Sequence, residues 1–420
     1  MPTAPTGSLW REPNFARLWA GQTVSQLGSQ ITFLALPLTA ILVLDAGPAE
    51  TGLLTAAGAL PALLVGLHAG VMVDRRQRLP ILVGGDLGRA ALLALVPLAW
   101  ATDRLSIGLL VAVVALVGLL TLVFDVAYQA LLPAIVPRER LVEGNAKLEL
   151  SVTAAQIAGP PLAGGLIRLL TAPVAIAVDA LSFVLSGVLL SGIRVEERIA
   201  RSPAHGRRIG AEIGEGLRLV VGDGRLRAIA GARGLLELFN AMLEAVFLLY
   251  LVRALGLGPG LIGAIFAVGS AGFALGALLP ARAVGRFGVG ATTIGALALV
   301  GLSDLLVPLA GGSRLVVVPL LVGAQFLFGV GLTVFNVNQV SLRQAVVPDG
   351  LQGRAAATVR VLATGLVPLG ALLGGLLGET IGLRPTLIVA ALGELLAAVW
   401  LWRSPVRSLR YLPASDAAPA

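Results

Sequence analysis

The chain of 420 residues has no cysteine and only two histidines. Without cysteine there is no disulfide, thiolate metal site or cysteine nucleophile, and two histidines leave little for a metal centre or for acid–base catalysis. Charged residues make up 13% of the chain, against about 25% in a typical soluble domain. The phosphate-binding pattern GxxxxGK(S/T) is also missing. We therefore predict that the protein is not an enzyme and needs neither a metal nor another cofactor.

Apolar residues, in contrast, are abundant. They make up 57% of the chain, and the mean hydropathy is +0.91. A helix of about 20 apolar residues crosses the hydrocarbon core of a membrane, and twelve such stretches follow one another here. Membrane strands would need an alternation of polar and apolar residues that is missing. Residues 1–15 lack the apolar core of a cleavable signal peptide, so we expect the first span to direct insertion. The sequence predicts an all-α membrane protein with twelve transmembrane helices.

The short polar breaks between the apolar stretches set the expected boundaries. We place the spans at about 16–44, 50–73, 80–101, 105–130, 149–171, 173–194, 226–253, 259–280, 288–310, 315–340, 355–379 and 384–403. This division gives an N-terminal six-helix bundle at 1–194, a linker at 195–225, a C-terminal six-helix bundle at 226–410 and a disordered tail at 411–420.

A stretch in the first half of the chain returns in degenerate form in the second half. Three pairs match at a separation of 211 residues: Phe124 and Phe335, Asp125 and Asn336, and Pro137 and Pro348. Gly164-Gly165 matches Gly374-Gly375 at a separation of 210 residues. We therefore predict that the two six-helix bundles are pseudo-symmetric.

The basic residues predict the orientation in the membrane, because they concentrate in cytoplasmic loops. If both termini are cytoplasmic, 24 of the 31 basic residues fall on that side, and the outside receives only Arg104, Arg168, Arg253, Arg314 and Arg384. The net charge of +8 is then mainly a topology signal, and we do not expect nucleic-acid binding. We expect a multi-pass membrane protein with both termini in the cytoplasm.

The linker carries apolar residues at helical spacing, namely Ile209, Ile213, Leu217 and Val220. This pattern predicts an amphipathic helix at the cytoplasmic membrane surface. The alternative is a solvated tether.

Polar side chains inside the seventh span point to a function. Arg233, Glu237, Asn240 and Glu244 follow one another at i, i+4, i+7 and i+11, which places them on one stripe of a helix. A charge near mid-bilayer costs about 2.5–3.5 kcal/mol on insertion scales, so such groups are normally functional or paired. We expect the stripe to face a watery cavity or partner charges.

The first, fourth and tenth spans carry similar polar groups. These are Gln22, Gln26, Ser29 and Gln30; Thr121, Asp125, Tyr128 and Gln129; and Gln325, Asn336, Gln339 and Arg343. One polar helix in every three is what a central pathway lined by symmetry-related helices requires. The alternative for each amide or hydroxyl is a bridge to a neighbouring helix, worth about 0.6 kcal/mol.

Other membrane acids favour structural roles. Asp179, Asp304 and Glu394 are solitary on their helices or near a span end, and we interpret them as structural. Asp86 and Arg89, three residues apart, are expected to pair with each other or with the adjacent loop.

Two motifs resemble the major facilitator superfamily. Residues 70–78 read GVMVDRRQR, which is similar to that family's GxxxD(R/K)xxR loop between its second and third helices. The resemblance implies a cytoplasmic gate formed by Gly70, Asp74, Arg75 and Arg78. The cognate loop in the second half has Pro280 where the acid would align, so that copy is degenerate. Residues 156–165 read QIAGPPLAGG and resemble the antiporter motif of the fifth helix, with Gly159, Pro160, Gly164 and Gly165. This motif favours export over uptake.

The resemblance covers nearly the whole chain. Residues 13–32, the stretch after Phe124 and residues 177–187 are similar to the twelve-helix drug:proton antiporter branch, which contains macrolide and tetracycline-type exporters and the enterobactin exporter. Many members of that branch carry an acid where this chain has Ser29. This departure moves the expected proton site to Asp125, Glu237 and Glu244.

The resemblance implies proton-coupled efflux of a hydrophobic small molecule or drug by alternating access. Asp125, Glu237 and Glu244 are the proton-coupling candidates. The substrate-cavity candidates are Gln22, Gln26, Tyr128, Arg233, Asn240, Asn336 and Gln339. The expected partners are the lipid bilayer, protons and the substrate. The resemblance also implies a monomer in the inner (plasma) membrane of a bacterium. A dedicated siderophore or metabolite exporter, in which Arg233 recognises an anion, is the first alternative, and a non-transporting membrane sensor or scaffold is the second.

Overall fold

A computed structural model describes residues 8–74, 76–195, 209–348 and 351–412. In these residues the backbone is helical apart from turns and short connections, and twelve helices are long and apolar enough to cross a membrane. The prediction of an all-α protein with twelve spans is confirmed.

The helices are numbered in chain order. They are α1 (Pro13–Val43), α2 (Pro48–Asp74), α3 (Arg78–Ala101), α4 (Ile107–Ile135), α5 (Leu141–Leu169), α6 (Ala172–Ser191), α7 (Ile209–Gly222), α8 (Gly224–Leu249), α9 (Pro259–Leu278), α10 (Pro280–Phe287), α11 (Val289–Leu309), α12 (Arg314–Val346), α13 (Gln352–Thr380) and α14 (Leu383–Trp402). Pro13, Pro48 and Pro259 each begin a helix, where proline's missing N–H is not needed and its fixed φ suits the first turn.

The chain forms two compact units, and each contains a short piece from the other half of the sequence. Of the described residues, the first unit holds 8–46, 57–74, 76–195 and 258–267, and the second holds 47–56, 209–257, 268–348 and 351–412. The start of α2 therefore belongs to the second unit, and the start of α9 belongs to the first.

The two units repeat the same four helix pairs. In the first unit α1 packs on α5 and α6, and α3 packs on α4 and α6. In the second unit α8 packs on α13 and α14, and α11 packs on α12 and α14. Because α8, α11, α12, α13 and α14 follow α1, α3, α4, α5 and α6 in the same order, the packing repeats with the sequence. Each unit buries its own apolar cluster, with Phe15 and Phe124 in the first and Phe335 in the second.

Close backbone contacts correct the register of the repeat in the glycine motif. A Cβ atom added to Gly164 would lie 2.6 Å from the carbonyl oxygen of Pro259, and one added to Gly375 would lie 2.8 Å from that of Pro48. Gly375 follows Gly164 by 211 residues, and Pro259 follows Pro48 by the same separation. Gly164 therefore matches Gly375, and the alignment of Gly164-Gly165 with Gly374-Gly375 is wrong by one residue.

The linker contains the predicted helix, α7, which packs against α13 and α8. Val220 is buried in a small cluster with Ala230 and Val359. Glu215 forms an ion pair with Arg354 of α13 at 2.7 Å. Protein contacts thus cover part of the apolar face, and Leu217 remains exposed. The membrane-surface position of α7 stays a prediction, and residues 196–208 of the linker and 413–420 of the predicted disordered tail lie outside the described residues.

The sequence did not predict α10. The eighth span ends as α9 at Leu278, and Pro280 then begins a separate helix of eight residues. Proline lacks the N–H that would continue the helix, while its fixed φ suits the start of a new one.

Candidate functional site

The stripe on α8 contains a polar cluster in the second unit. An arginine nitrogen of Arg233 lies 2.5 Å from a carboxylate oxygen of Glu237, one helical turn away. The same guanidinium donates a hydrogen bond to the amide oxygen of Asn336 on α12. The side chains of Arg233 and Glu237 are about a quarter exposed. The structure therefore brings together three of the residues that the sequence singled out, and leaves them partly accessible.

Glu244 extends the same stripe toward the end of α8. Its side chain is exposed, although residues 241–243 and 245–247 on either side are buried. With Arg233 and Glu237, it gives the stripe two carboxylates and one cation. One carboxylate of the stripe therefore has no arginine within the stripe to balance it.

Asn240, between Glu237 and Glu244, faces a different group. Its amide lies against the carboxyl of Glu394 on α14, which in turn lies against the carboxyl of Asp304 on α11. Glu394 is 0% exposed and Asp304 is 5% exposed. Neither acid has a partner among the described residues of its own helix, and the packing of α11 on α14 brings the two together. Their structural role stays a prediction.

In the first unit, Arg89 is the centre of a charged cluster. It forms a buried ion pair with Asp86, and both side chains are at most 6% exposed. The prediction that these two residues pair is confirmed. The guanidinium also donates to the hydroxyl of Thr121 at 3.4 Å and lies 4.2 Å from the ring centres of Phe124 and Phe183.

Two further acids act on Arg89 electrostatically. Asp125 on α4 and Asp179 on α6 both lie within interaction range of its charge. Asp179 is buried and accepts a hydrogen bond from the hydroxyl of Ser182 at 3.0 Å, whereas Asp125 is exposed. Tyr128, a cavity candidate, is also near Asp125, and its ring stacks on Phe124 at 6.2 Å. The positive charge of Arg89 therefore interacts with three carboxylates, those of Asp86, Asp125 and Asp179.

The amides predicted to line the pathway differ in their surroundings. Gln22 and Gln339 are buried, and one side-chain atom of each has no hydrogen-bond partner among the described residues. Gln26 is half-buried. An amide that is buried and not fully paired is costly, so Gln22 and Gln339 are the amides best placed to bind a polar group or a water molecule.

The glycine–proline motif of α5 brings helices into close contact. Gly159 packs on the side chain of Gln30 of α1. Gly164 lies against the start of α9, and a Cβ there would be 3.1 Å from the Cα of Gly263. A Cβ on Gly165, in contrast, would meet no atom within 4 Å. Only the first of the two adjacent glycines is therefore needed for packing.

We expect Gly164→Val to destabilise the protein by about 1–3 kcal/mol, because the added side chain meets backbone atoms that cannot rotate away. Gly165→Val is the matched control, since it adds the same side chain to the same helix and meets open space. The measurement is the thermal stability of both variants in detergent. Equal losses of stability would contradict the role given to Gly164.

The predicted cytoplasmic gate falls largely outside the described residues. Arg75 lies outside them, and only the backbone is described at Gly70 and Asp74. Gly70 lies within α2, which ends at Asp74, and Arg78 begins α3. The gate stays a prediction.

The sequence contained a signal for the contacts between buried acids on different helices. The third and sixth helices of each half both carry a carboxyl group: Asp86 and Asp179 in the first half, and Asp304 and Glu394 in the second. A search for acids on helices with the same place in the two repeats would have found both groups.

Comparisons with known proteins agree with the fold. A family model described as "Transmembrane secretion effector" matches residues 4–419. The MFS-type transporter YfiS of Bacillus subtilis (strain 168) is 27% identical over 383 residues, covering 89% of this chain and 88% of YfiS. The multidrug efflux pump Tap of Mycolicibacterium fortuitum is 29% identical over 411 residues, covering 92% and 93%. The crystal structure of a bacterial homologue of the iron transporter ferroportin superposes with a TM-score of 0.77 at 20% identity, covering 96% of this chain and 100% of that one.

Proposed function

Since the chain belongs to the transmembrane secretion effector family of MFS transporters, we propose that it exports hydrophobic small molecules, cationic ones in particular, in exchange for protons. Membership of this family makes the chain a membrane transporter. Export of drug-like molecules is supported by the relative Tap, which is named as a multidrug efflux pump. We place the protein in a bacterial inner membrane as a monomer, with both termini in the cytoplasm. The predicted gate residues Asp74, Arg75 and Arg78 would then lie on the cytoplasmic side, and alternating access would move the substrate.

The observation that carries the proposal is the partly exposed cluster of Arg233, Glu237 and Asn336 on membrane-spanning helices. With Glu244 ionised, the stripe of α8 carries one net negative charge, which attracts either a cationic substrate or a proton. A proton on Glu237 cancels this net negative charge and removes the attraction of Glu237 for Arg233. The stripe then no longer attracts a cation, so substrate and proton compete for the same stripe.

This competition is the physical basis of exchange. A proton that enters the stripe from outside displaces the cation, and loss of the proton to the cytoplasm restores the negative charge. Asp125 is the corresponding carboxylate in the first unit, where the charge of Arg89 acts on it. We assign it to proton coupling with Glu237 and Glu244.

Export of an anionic siderophore or metabolite is the weaker proposal. It requires Arg233 to bind the anion, but this guanidinium is already engaged by Glu237 and Asn336. An anion would have to displace the Glu237 carboxylate from Arg233 and would then meet the charge of Glu244. A non-transporting sensor has no need of the partly exposed charges on α8.

The test uses inverted membrane vesicles from an efflux-deficient bacterium that expresses the protein. We expect a lipophilic fluorescent cation to accumulate when respiration acidifies the vesicle lumen, and to leak out when a protonophore is added. A lipophilic fluorescent anion serves as the second substrate, and vesicles without the protein are the control. Accumulation that persists with the protonophore, or that favours the anion, contradicts the proposal.

A further inference from the structure

We propose that Asp304, Glu394 and Asn240 form a proton-binding site inside the second unit. The two carboxyl groups share one proton, because two adjacent buried carboxylates would repel each other if both were ionised. The site lies where α8, α11 and α14 meet. It differs from the stripe of α8 in that its two acids are buried.

Close packing fixes Glu394 in this position. A Cβ added to Gly301 of α11 would lie 2.9 Å from the backbone nitrogen of Leu395, so α11 approaches the backbone of α14 next to Glu394. On the other side, Gly393 packs directly on the ring of Phe239 of α8. Glycines thus allow two helices to approach α14 on either side of one buried acid, and the acid cannot turn toward solvent without opening these contacts.

The oxygens of the pair lack ordinary partners. Both carboxyl oxygens of Glu394 and Oδ2 of Asp304 are buried without a hydrogen bond of standard geometry among the described residues. The groups that act on them are each other and the Asn240 amide, which lies against Glu394. Two adjacent ionised carboxylates in such a place would cost many kcal/mol, and a shared proton removes both a charge and the repulsion.

Cations on the surrounding helices have other positions or partners. On α8, Arg233 is held by Glu237 and Asn336. At the start of the same helix, Arg225 pairs with Asp223 and Arg227 donates to the carbonyl oxygen of Val221. On α12, Arg314 is the first residue and Arg343 lies in the last turn. At the start of α14, Arg384 donates to the carbonyl oxygens of Pro308 and Ala310.

The remaining neighbours of α14 offer no counter-charge either. On α13, Arg354 is paired with Glu215, while Arg360 and Glu379 are exposed. In the short helix Pro405–Ser408, Arg407 lies over the ring of Trp402. Asp304 is the only ionisable residue of α11.

The first unit shows what a buried acid pair looks like when an arginine is present. Asp86 on α3 and Asp179 on α6 occupy the helices that correspond to α11 and α14, and Arg89 lies among them. At the separation of 211 residues, Phe183, whose ring covers Arg89, matches Glu394. The two halves therefore balance their acids differently, the first with an arginine and the second with a proton.

The position of Asn240 links this site to the stripe of α8. Asn240 follows Glu237 by three residues and precedes Glu244 by four, and its amide lies against Glu394. The binding of a proton does not depend on the proposed function, but its use in transport rests on it.

Infrared spectroscopy of the purified protein tests the site. The wild type at neutral pH is expected to show the C=O stretch of a buried protonated carboxylic acid, and Glu394→Gln and Asp304→Asn should each remove or shift it. Asp45→Asn is the control, because Asp45 is exposed and its φ of 52° suits asparagine. A carboxylic acid band that both single variants leave unchanged overturns the proposal.

The double variant Asp304→Asn/Glu394→Gln keeps the shape of the pair and carries no charge. If the folded wild type holds a proton that the unfolded chain releases, its folding equilibrium constant falls by up to tenfold per pH unit as the pH rises above about 4. The double variant is expected to fold and to lose this pH dependence, and an unchanged dependence counts against the site. The two tests are independent. Absence of proton-driven transport in wild-type vesicles would contradict the proposed function, whereas the infrared bands alone test the proton-binding site.

Discussion

Arg89→Leu is expected to prevent the protein from accumulating in a folded form. The substitution leaves Asp86 and Asp179 buried without their cation and also removes the charge near Asp125. Breaking a buried ion pair by removing one partner costs about 3–5 kcal/mol, and a typical protein is stable by only about 5–15 kcal/mol. Yield after detergent extraction and thermal stability of the extracted protein are the measurements.

A rescue experiment separates charge from packing. Asp86→Asn combined with Arg89→Leu removes both charges of the ion pair and is expected to recover part of the lost stability, because Asp179 still lacks its cation. Arg89→Lys keeps the charge but loses the planar group that packs between Phe124 and Phe183, so an intermediate stability is expected. If the double variant is no more stable than Arg89→Leu alone, the role of Arg89 is packing and not charge balance.

The sequence predicted those parts of the site that lie within one helix. Arg233 and Glu237 are four residues apart, and Asp86 and Arg89 are three apart, so helical geometry alone places each pair together. The pairing of Asp304 with Glu394 depends instead on how α11 packs on α14. Nothing in the local spacing of these acids shows which side of its helix faces the neighbour, so the contact between them could not be predicted from the sequence.

The glycines show the same limit. Gly164 and Gly165 are identical in type and adjacent in sequence, yet one lies against the start of α9 and the other faces open space. They differ because α5 packs with one face toward α9, and a Cβ atom on Gly164 would point toward that face whereas one on Gly165 would point away from it. Hydropathy and helix breakers, in contrast, are local properties, which is why all twelve spans could be predicted from the sequence.

Glu237→Gln is expected to abolish uphill transport while leaving the protein folded. Glu237 is the ionisable partner of Arg233 and is about a quarter exposed, so glutamine fits the site and keeps a hydrogen bond to the guanidinium. Exchange of one monovalent cation for one proton moves no net charge, so the pH difference alone drives it; a difference of about 1.6 pH units, at about 1.4 kcal/mol per tenfold, sustains a substrate gradient of about forty-fold. Without an exchangeable proton at Glu237, the accumulation ratio of a lipophilic cation in inverted vesicles should fall from about forty toward one.

Two comparisons make this result specific. Glu12→Gln also removes one carboxylate, but Glu12 is exposed just before α1 and makes no side-chain capping bond, so its variant should transport like the wild type. Exchange of labelled for unlabelled substrate across de-energised vesicles requires binding and movement but no net proton flow, and we expect Glu237→Gln to retain it. Full accumulation by this variant would remove Glu237 from proton coupling and leave Asp125 and Glu244 as the candidates. If the variant lost both exchange and accumulation, Glu237 would instead be placed in substrate binding.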